Sequence, residues 1–507
     1  MKILILAISL ILFLGCGSNN KDPEISNKFS NVECSNFDIN RTDLECGYLE
    51  VPNDYFNRSI SFELPVVIKR AEKNTTVKSP IVFERGGPTE GGALESLDSI
   101  LSALSVFNDR DIIVYNRRGE QYSSSYLSCN DVNLSSYNNI LKELYDNNLT
   151  VHNLTQDQYN SVYKDVFKSD IQECINSLES KGFYVKDFTT RNSGYDIESL
   201  RVSLGYENIN LLGISYGTRL SLEYMQLYPK NLDSVILDGV LPENSDFLQH
   251  QVLQRKEALE RFFEVCKNDT QCNNAYPNFK EEFLFVADSL TEKPFFYTVL
   301  ENNETQEYHI DGTTLFFKFY EFLYDRVFYK DIPYITHRIY NEILVNDYTY
   351  LEYLSKSFTE QNEDEDLIFD FIHQQDYPVF LNTLLEKQEE LGKYKNSYTI
   401  FYILSQANLH DLYNGLQVEI KHSYNSNVPT LILTGSLDPV TPVSYAQSID
   451  SRLNNSTNLI FNNNGHSQLY GDCGILAVEE FFNNKDDFTP PDCVYDENPI
   501  DFYVPNQ

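Results

Sequence analysis

The hydrophobic and polar positions of the chain follow two spacings that alternate along its first half. Short, mostly apolar runs occupy Pro80–Phe83, Asp111–Tyr115, Ile209–Leu212 and Ser234–Leu237, and each is followed by a glycine within four residues. Between such runs lie stretches like Asp196–Gly205, where apolar residues recur three or four positions apart. The runs predict strands and the stretches predict amphipathic helices. Their alternation indicates crossover connections and a mostly parallel sheet covered on both faces.

This alternation is interrupted in the second half of the chain. From about residue 241 to 425 the sequence is rich in Phe, Tyr, Leu and Glu at helical spacing, and strand patterns resume at Pro429–Thr434 and Asn458–Phe461. The simplest interpretation is one α/β core that is interrupted by a helical insertion. The expected parts are a signal peptide at 1–15, a flexible tether at 16–30, the core at 31–240 and 426–507, and the insertion at 241–425.

The N-terminal segment predicts export. Lys2 is followed by the apolar run Ile3–Leu14 and then by Gly15 and Cys16. This run is typical of a secretory signal and is too short for a membrane span, which needs about 20 apolar residues. A small residue before a Cys resembles a bacterial lipoprotein signal, which implies lipidation of Cys16 and a membrane-anchored protein in the periplasm or on the cell surface. The alternative is an ordinary signal peptide with an incidental Cys.

The cysteine count fits an exported protein. Nine Cys less the expected anchor leaves eight, an even number suited to an oxidising compartment. Pairing by proximity would join Cys34 to Cys46, Cys129 to Cys174, Cys266 to Cys272, and Cys473 to Cys493. Eight Cys permit 105 pairings, so other connectivities and free buried thiols stay open. Because no Cys-x-x-Cys occurs and the His residues are scattered, we expect no metal site and no cofactor.

Composition and charge exclude some classes of function. Hydrophobic residues make up 41% of the 507 residues, which is enough for a large core. Lys and Arg number 39 against 75 Asp and Glu, which gives a formal net charge of −36. Such a charge repels phosphates, so we expect no nucleic-acid partner and no binding to anionic lipid headgroups.

The segment Gly213-Ile214-Ser215-Tyr216-Gly217 carries the first candidate chemistry. It follows a predicted strand and opens a predicted helix. A sharp turn at that place strains the backbone and exposes the Ser215 hydroxyl at the sheet edge, and the glycines avoid clashes within the turn. The alternative is an unremarkable loop with two glycines.

A serine becomes a strong nucleophile only with a base to take its proton and a carboxylate to orient that base. Asp438 and His466 each follow an apolar strand, so both should lie on loops at the same sheet edge as Ser215. Taken singly, Asp438 could be a turn or capping residue and His466 a loop residue. Their order along the chain favours a triad of Ser215, Asp438 and His466.

An oxyanion formed during the reaction needs two N–H donors. The residue after the nucleophile, Tyr216, would supply one of them. The other would come from Gly86-Gly87-Pro88, where a missing side chain lets the Gly87 amide approach the substrate. The alternative is an ordinary Gly-Pro turn.

Several motifs together carry a family resemblance. They are Gly86-Gly87-Pro88, Arg118-Gly119, Gly213 to Thr218, Leu237-Asp238-Gly239-Val240, and Gly435 to Pro442. Over about residues 34–495 the chain resembles the tripeptidyl-aminopeptidase-like branch of the prolyl aminopeptidase family of α/β hydrolases, with a looser match in the insertion. The resemblance implies an α/β-hydrolase fold with a helical lid. It also implies an exopeptidase that releases short peptides or one residue from a free peptide N-terminus.

The chain departs from the family pattern near the cleft rim. Thr89-Glu90 follow Pro88 where glycines are usual, and Asn116 stands where Asp is usual. A substrate ammonium requires a carboxylate, for which Glu243 is a candidate, although a solvated loop charge is the alternative. The acidic run at 363–366 is interpreted as a solvated face. Arg117 and Arg118 are interpreted as structural.

Two other functions stay open at this point. A carboxylesterase or a related serine hydrolase would use the same triad on small esters. A non-catalytic surface lipoprotein could keep the fold for binding alone. The serine, acid and histidine in the expected order favour the serine exopeptidase, with peptides that carry a free N-terminus as its substrates.

Overall fold

A computed structural model describes residues 23–72, 78–87, 91–128, 165–242, 247–301, 304–358, 392–396, 426–485 and 487–505. The strands of its central sheet are β1 (Lys28–Val32), β2 (Glu45–Pro52), β3 (Ser61–Lys69), β4 (Lys78–Glu84), β5 (Arg110–Tyr115), β6 (Ile209–Ile214), β7 (Leu232–Asp238), β10 (Thr430–Gly435) and β11 (Ser456–Phe461). They are hydrogen-bonded in the order β1-β2-β3-β5-β4-β6-β7-β10-β11. A separate antiparallel hairpin consists of β8 (Phe295–Glu301) and β9 (Glu304–Ile310).

The central sheet has an antiparallel edge and a parallel body. β1, β2, β3 and β5 pair in antiparallel fashion. From β5 onward, β4, β6, β7, β10 and β11 add in parallel. The mostly parallel sheet that the alternating pattern predicts is therefore confirmed, and the carboxyl ends of the parallel strands meet at one edge.

The described α-helices lie between the strands or after them in the sequence. They are α1 (Leu97–Ala103), α2 (Asp165–Ser180), α3 (Thr190–Ser203), α4 (Tyr216–Leu227), α5 (Phe247–Asn268), α6 (Thr270–Ala275), α7 (Phe279–Glu292), α8 (Gly312–Phe322), α9 (Ile332–Leu344), α10 (Thr349–Phe358), α11 (Val443–Asp450) and α12 (Asp472–Asn484). Of these, α5 to α10 follow β7 and precede β10.

The middle strands are buried on both faces, which explains why they read as continuous apolar runs. Every residue of β6 is buried. Leu211 and Val235 belong to one apolar cluster, whereas Leu212 and Ile236 belong to another. Because successive side chains of a strand point to opposite faces, β6 and β7 are held between two apolar layers.

The segment between β7 and β10 differs from the sequence expectation in one respect. The insertion predicted at 241–425 was expected to be helical, but its described part also contains the hairpin of β8 and β9. Phe295-Phe296-Tyr297-Thr298-Val299 is an aromatic and β-branched run. Such side chains favour strands, and this run is too short for its spacing to separate a strand from a helix.

The insertion and the core share one apolar cluster. Phe262 of α5 belongs to the same cluster as Leu437 and Val440, which flank Asp438. Phe502, near the end of the chain, joins it as well. The loop that carries Asp438 is therefore packed from the insertion side as well as from the sheet.

The last described residues are hydrogen-bonded to the insertion. The Tyr276 hydroxyl donates to the Tyr503 carbonyl at 2.7 Å, and the Tyr503 N–H donates to the Lys330 carbonyl at 3.0 Å. Gln271 Nε2 donates to the Phe502 carbonyl at 3.0 Å. The C-terminal segment thus holds helices of the insertion in place.

The N-terminal tether ends earlier than the sequence suggests. Residues 28–30 of the tether predicted at 16–30 belong to β1, which pairs with β2, and Ile25 packs against the core. A flexible tether is therefore wrong for these last residues, because the edge of the sheet offers them backbone partners. Among the described helices, none has the length and apolar character needed to cross a membrane.

Three disulfides join near neighbours in the sequence. The bonds are Cys34–Cys46, Cys266–Cys272 and Cys473–Cys493. Cys174 is also disulfide-bonded. Its expected partner, Cys129, lies outside the described residues, as does the expected lipid anchor, Cys16.

Candidate active site

Ser215 lies in the sharp turn between β6 and α4, as its motif predicts. Its backbone adopts φ 54° and ψ −122°, a conformation that a residue with a side chain rarely takes. The Ser215 N–H donates to the Asp238 carbonyl at 2.9 Å, which holds the turn against the end of β7. Strain of this kind costs on the order of 1–3 kcal/mol and persists only where neighbouring contacts enforce it.

Glycines make this tight turn possible. A Cβ atom at Gly217 would lie 2.0 Å from the Glu84 carbonyl oxygen, and one at Gly213 would lie 2.5 Å from the Gly217 oxygen. Both separations are far below any tolerated contact, so only glycine fits at either place. The first turn of α4 consequently packs directly on the end of β4.

Asp438 and His466 are hydrogen-bonded to each other. His466 Nδ1 and Asp438 Oδ2 are 2.8 Å apart, and the side chains are 8% and 0% exposed. The N–H groups of Val440 and Thr441 donate to Asp438 Oδ1 at 2.7 and 2.8 Å, and the Thr441 hydroxyl donates to Oδ2 at 2.6 Å. These donors fix the carboxylate, which in turn fixes the imidazole.

The environment of His466 raises the pKa of its imidazole above the ordinary 6.5. Burial acts in the opposite direction because it disfavours the charged ring. The charge of Asp438, its hydrogen bond to the ring and the charge of Asp238 together outweigh burial. An imidazole in this setting accepts a proton readily, which is what a general base requires.

Asp238 connects the serine turn to the histidine loop. Its carbonyl holds the Ser215 N–H, and its carboxylate accepts from the Ser467 hydroxyl and from the N–H groups of Gln468 and Leu469, all at 2.8–2.9 Å. In the sequence, Asp238 was noted only as part of one motif that carries the family resemblance. No local pattern indicates this role, because its partners lie far away in the chain.

The next residue, Gly239, makes room for the imidazole. Its backbone has φ 65°, and a Cβ atom there would lie 2.9 Å from His466 Cε1. The His466 ring therefore packs against the backbone at the end of β7, next to the strand end that holds Ser215. The structure thus brings the three residues of the expected triad to one sheet edge.

The loop after β4 lies beside Ser215. A Cβ atom at Gly86 would lie 3.0 Å from Ser215 Cβ and 3.6 Å from Ser215 Oγ, and Gly87 adopts φ 98°. Tyr216 directly follows Ser215 and is the first residue of α4. Both expected oxyanion donors, Gly87 and Tyr216, therefore flank the candidate nucleophile.

The insertion reaches this site through Tyr324. The Tyr324 carbonyl accepts from the His466 N–H at 3.0 Å, and the two rings meet edge to face with centroids 5.3 Å apart. The Tyr324 hydroxyl is 2.8 Å from that of Tyr320 on α8. This contact could not be predicted from the sequence, because it joins the insertion to a loop of the core.

Other candidate residues lie outside the described chain or form no site. Glu243 and the acidic run at 363–366 are among residues that the structure does not describe. Within the described residues, no group of three or more His, Cys, Asp or Glu side chains could hold a metal ion. Asn116, which stands where the family usually has Asp, donates to the carbonyls of Gly91 and Gln121 and accepts from the Leu94 N–H, so its amide joins these two loops.

Comparison with known proteins gives several relatives at low identity. A protein of Escherichia coli K12 named YuaR is 23% identical over 241 residues, which are 45% of this chain and 44% of that protein. The serine protease Hip1 of Mycobacterium tuberculosis H37Rv is 23% identical over 231 residues, 45% of this chain and 42% of that protein. A tripeptidyl aminopeptidase of Streptomyces coelicolor is 24% identical over 216 residues, 41% of this chain and 37% of that protein. The chain thus matches less than half the length of these relatives.

Two family models match the parts of the chain that hold the site. Residues 79–285 match the alpha/beta hydrolase fold model, and this range contains Ser215. Residues 414–486 match the model described as TAP-like protein, and this range contains Asp438 and His466. Together with the sheet order and the serine turn after β6, these matches show that the chain has an α/β-hydrolase fold and contains a TAP-like segment at residues 414–486.

Proposed function

We propose that this chain is a serine hydrolase in which Ser215 attacks the carbonyl carbon of the substrate. His466 takes the serine proton and later gives it to the leaving group, while Asp438 holds the imidazole in the required tautomer. The observation that carries this proposal is the 2.8 Å contact between His466 Nδ1 and the oriented Asp438 carboxylate, placed at the sheet edge where Ser215 lies.

The N–H groups of Tyr216 and Gly87 would bind the oxyanion of the tetrahedral intermediate. The positive φ of Gly87 and the position of Tyr216 at the start of α4 support this role. Donors that are already oriented cost no rearrangement when negative charge develops on the substrate oxygen. A helix N-terminus adds a favourable partial positive charge.

The proposed substrates are peptides with a free N-terminus, from which short peptides or single residues are released. The relatives named as a serine protease and as a tripeptidyl aminopeptidase support peptides as the substrate class. The net charge of −36 favours an ammonium group over an anion, although salt limits the reach of this effect to about 8–10 Å. Glu243 remains the candidate partner for that ammonium.

The proposed location is outside the cytoplasm, with a lipid anchor on Cys16. The apolar run before Gly15-Cys16 supports export, and the three disulfides support an oxidising compartment. Metabolic labelling with a fatty acid tests this proposal. Label on the wild type and its loss in Cys16→Ser is the expected result, and label that persists in the variant would contradict a lipid at this residue.

A fluorophosphonate probe tests the assignment of the nucleophile. Ser215→Ala should abolish labelling of the purified protein. Ser221→Ala is the matched control, because Ser221 is a buried serine of α4, the helix that begins directly after Ser215, and its hydroxyl donates to the Gly217 carbonyl. Labelling that persists in Ser215→Ala would overturn the assignment.

Paired substrates test the class of reaction. Aminoacyl-peptide chromogens, the same peptides with an acetylated N-terminus, and short acyl esters should be compared at matched enzyme concentration. Cleavage that requires the free amine supports the exopeptidase. Hydrolysis of the esters alone would make the protein an esterase, and inertness to every substrate and to the probe would leave a binding protein.

A further inference from the structure

We propose that Arg117 is a positioning residue that orients both oxyanion donors and polarises one of them, the Gly87 N–H, and this inference rests on the proposed function. Its guanidinium is buried, with 3% of the side chain exposed. Nη1 donates to the Arg85 carbonyl at 3.1 Å and Nη2 donates to the Gly86 carbonyl at 3.2 Å. The same guanidinium lies 5.1 Å from the centre of the Tyr216 ring. One cation therefore contacts both segments that supply the oxyanion donors.

The contact with Gly86 acts directly on the first donor. The Gly86 carbonyl and the Gly87 N–H are the two ends of one peptide unit, whose atoms lie in a plane. A cationic donor on the carbonyl oxygen fixes that plane and draws electron density toward it, which strengthens the hydrogen bond that the N–H can donate at the other end. The effect is larger in a buried setting than in water.

The second donor has a comparable arrangement. The Tyr216 ring packs beside the guanidinium, and its hydroxyl is 2.7 Å from Thr190 Oγ1, so the ring is held at two places. The Tyr216 N–H shares its peptide unit with the Ser215 carbonyl, which accepts from the Thr218 N–H at 2.9 Å and from the Thr218 hydroxyl. Each of the two peptide units thus carries donors at its carbonyl end.

Glu120 holds the guanidinium in this position. Its carboxylate is fully buried; Oε1 accepts from Arg117 Nε at 2.8 Å and from Nη2 at 2.6 Å, and Oε2 accepts from the Arg117 N–H at 2.7 Å. Two guanidinium donors therefore meet one oxygen while the other oxygen binds the Arg117 backbone, and together these contacts set the plane of the guanidinium as well as its location. The remaining N–H groups are then aimed at the Arg85 and Gly86 carbonyls.

The neighbouring Arg118 is a matched control. It is also fully buried and ion-paired, but its partner is Asp196. It donates to the carbonyls of Asn53 and Asp187, and no described contact joins it to the loop after β4 or to Tyr216. Loss of Arg118 should therefore affect folding, whereas loss of Arg117 should affect folding and the oxyanion donors.

The experiment compares Arg117→Lys with Arg118→Lys in the full chain. Active sites are counted by stoichiometric acylation, and the rates per active site are measured on an activated ester and on its thionoester counterpart. A thiocarbonyl accepts hydrogen bonds weakly, so a weakened oxyanion site slows the oxygen ester more. For Arg117→Lys we expect kcat to fall roughly 10- to 100-fold with KM within about twofold, and the ester to thionoester rate ratio to fall.

For Arg118→Lys we expect fewer active sites or a lower Tm, with an unchanged rate ratio and kcat per active site. A wild-type ratio and kcat per site in Arg117→Lys would overturn the proposal even if that variant were less stable. If Arg117→Lys does not fold, Glu120→Gln replaces it, and an unchanged ratio there would equally overturn the proposal. Labelling of Ser215→Ala by the fluorophosphonate would instead overturn the proposed nucleophile, so the two failures are distinguishable.

Discussion

The N–H of His466 donates to the carbonyl of Tyr324, 3.0 Å away, so a residue of the insertion holds the backbone of the candidate base. The Tyr324 ring also meets the imidazole edge to face. The insertion thus takes part in placing the histidine. Changes that loosen this part of the insertion should reduce activity without touching the triad.

Arg326 offers a way to loosen it. Its Nη1 donates to the Asn463 carbonyl at 2.7 Å and its Nη2 to the Pro499 carbonyl at 2.6 Å. Arg326→Ala should lower kcat by roughly tenfold with little change in Tm, because the segment around Tyr324 loses one of its links to the histidine loop. Arg338→Ala is the control, since Arg338 pairs with Glu342 of its own helix. Equal kcat in the two variants would contradict this role.

The charge of Asp438 should determine the pH profile. The raised pKa of His466 predicts that kcat/KM of the wild type rises with pH through a midpoint above 6.5, because only the neutral imidazole accepts the serine proton. Asp438→Asn removes the charge that stabilises the imidazolium, so the midpoint should move to lower pH. The rate should fall on the order of 10³- to 10⁴-fold. Asp450→Asn, at a partly exposed carboxylate outside the site, should keep the wild-type profile, and an unmoved midpoint in Asp438→Asn would contradict the assignment.

Glu84 should make the folded protein less stable as pH rises. Burial raises its pKa to about 8, against the opposing charge of Arg117 and the hydrogen bond from the Tyr115 hydroxyl. Because the pKa is raised from an unfolded value near 4.5, the stability gained from the protonated form is complete below about 4.5 and is lost as pH rises to about 8. Glu84→Gln keeps an acceptor for Tyr115 and has no charge to bury.

Denaturant unfolding between pH 5 and 9 measures this effect. The free energy of unfolding of Glu84→Gln should increase relative to that of the wild type as pH rises, by on the order of a few kcal/mol between pH 5 and 9. Glu95→Gln, at a side chain that is 60% exposed, is the control. Parallel curves for the wild type and Glu84→Gln would mean that Glu84 does not titrate in this range.

The contact between α4 and β4 tolerates no side chain at Gly217. Gly217→Ala should displace the start of α4, since its Cβ would lie 2.0 Å from the Glu84 oxygen. We expect loss of probe labelling and a fall in stability of several kcal/mol. Gly471→Ala is the control, because its nearest neighbour would be 3.5 Å away and its φ is −101°. Normal labelling of Gly217→Ala would contradict the described packing of the turn.

The disulfides should differ in how much they contribute to the free energy of unfolding. Cys473–Cys493 closes a separation of 20 residues and Cys266–Cys272 one of 6. By loop entropy alone, replacing both Cys of a pair with Ser should cost about 3 kcal/mol for the first pair and about 2 kcal/mol for the second. Denaturant unfolding of the two double variants checks this order. The reverse order would show that native packing, and not loop closure, dominates.

Local patterns were enough to predict the elements that carry the site. The strand–turn–helix of Ser215 could be inferred because its glycines and apolar run are adjacent in the sequence. Asp438 and His466 could be placed at the same edge because parallel strands end together. The hairpin at Phe295–Ile310 was missed because short aromatic runs fit a buried helix as well as a strand.

The contacts that hold the site could not be predicted in this way. Arg117 meets the carbonyls of Arg85 and Gly86, and Tyr324 meets His466, only because the folded chain brings distant segments together. No periodic pattern predicts such pairs. The sequence does not distinguish a buried arginine that supports an ordinary loop from one that binds the backbone of a proposed oxyanion site. For this reason the sequence supports only a structural interpretation of Arg117.

Asp238 has a consequence for motion in the site. Its carbonyl is bonded to the amide of Ser215, and its carboxylate is bonded to the residues that directly follow His466. A thermal displacement of the end of β7 therefore moves the serine and the histidine in the same direction. The distance between the two residues consequently changes less than the sheet itself moves. Fluctuations at the sheet edges can then grow with temperature long before the reacting groups lose their alignment.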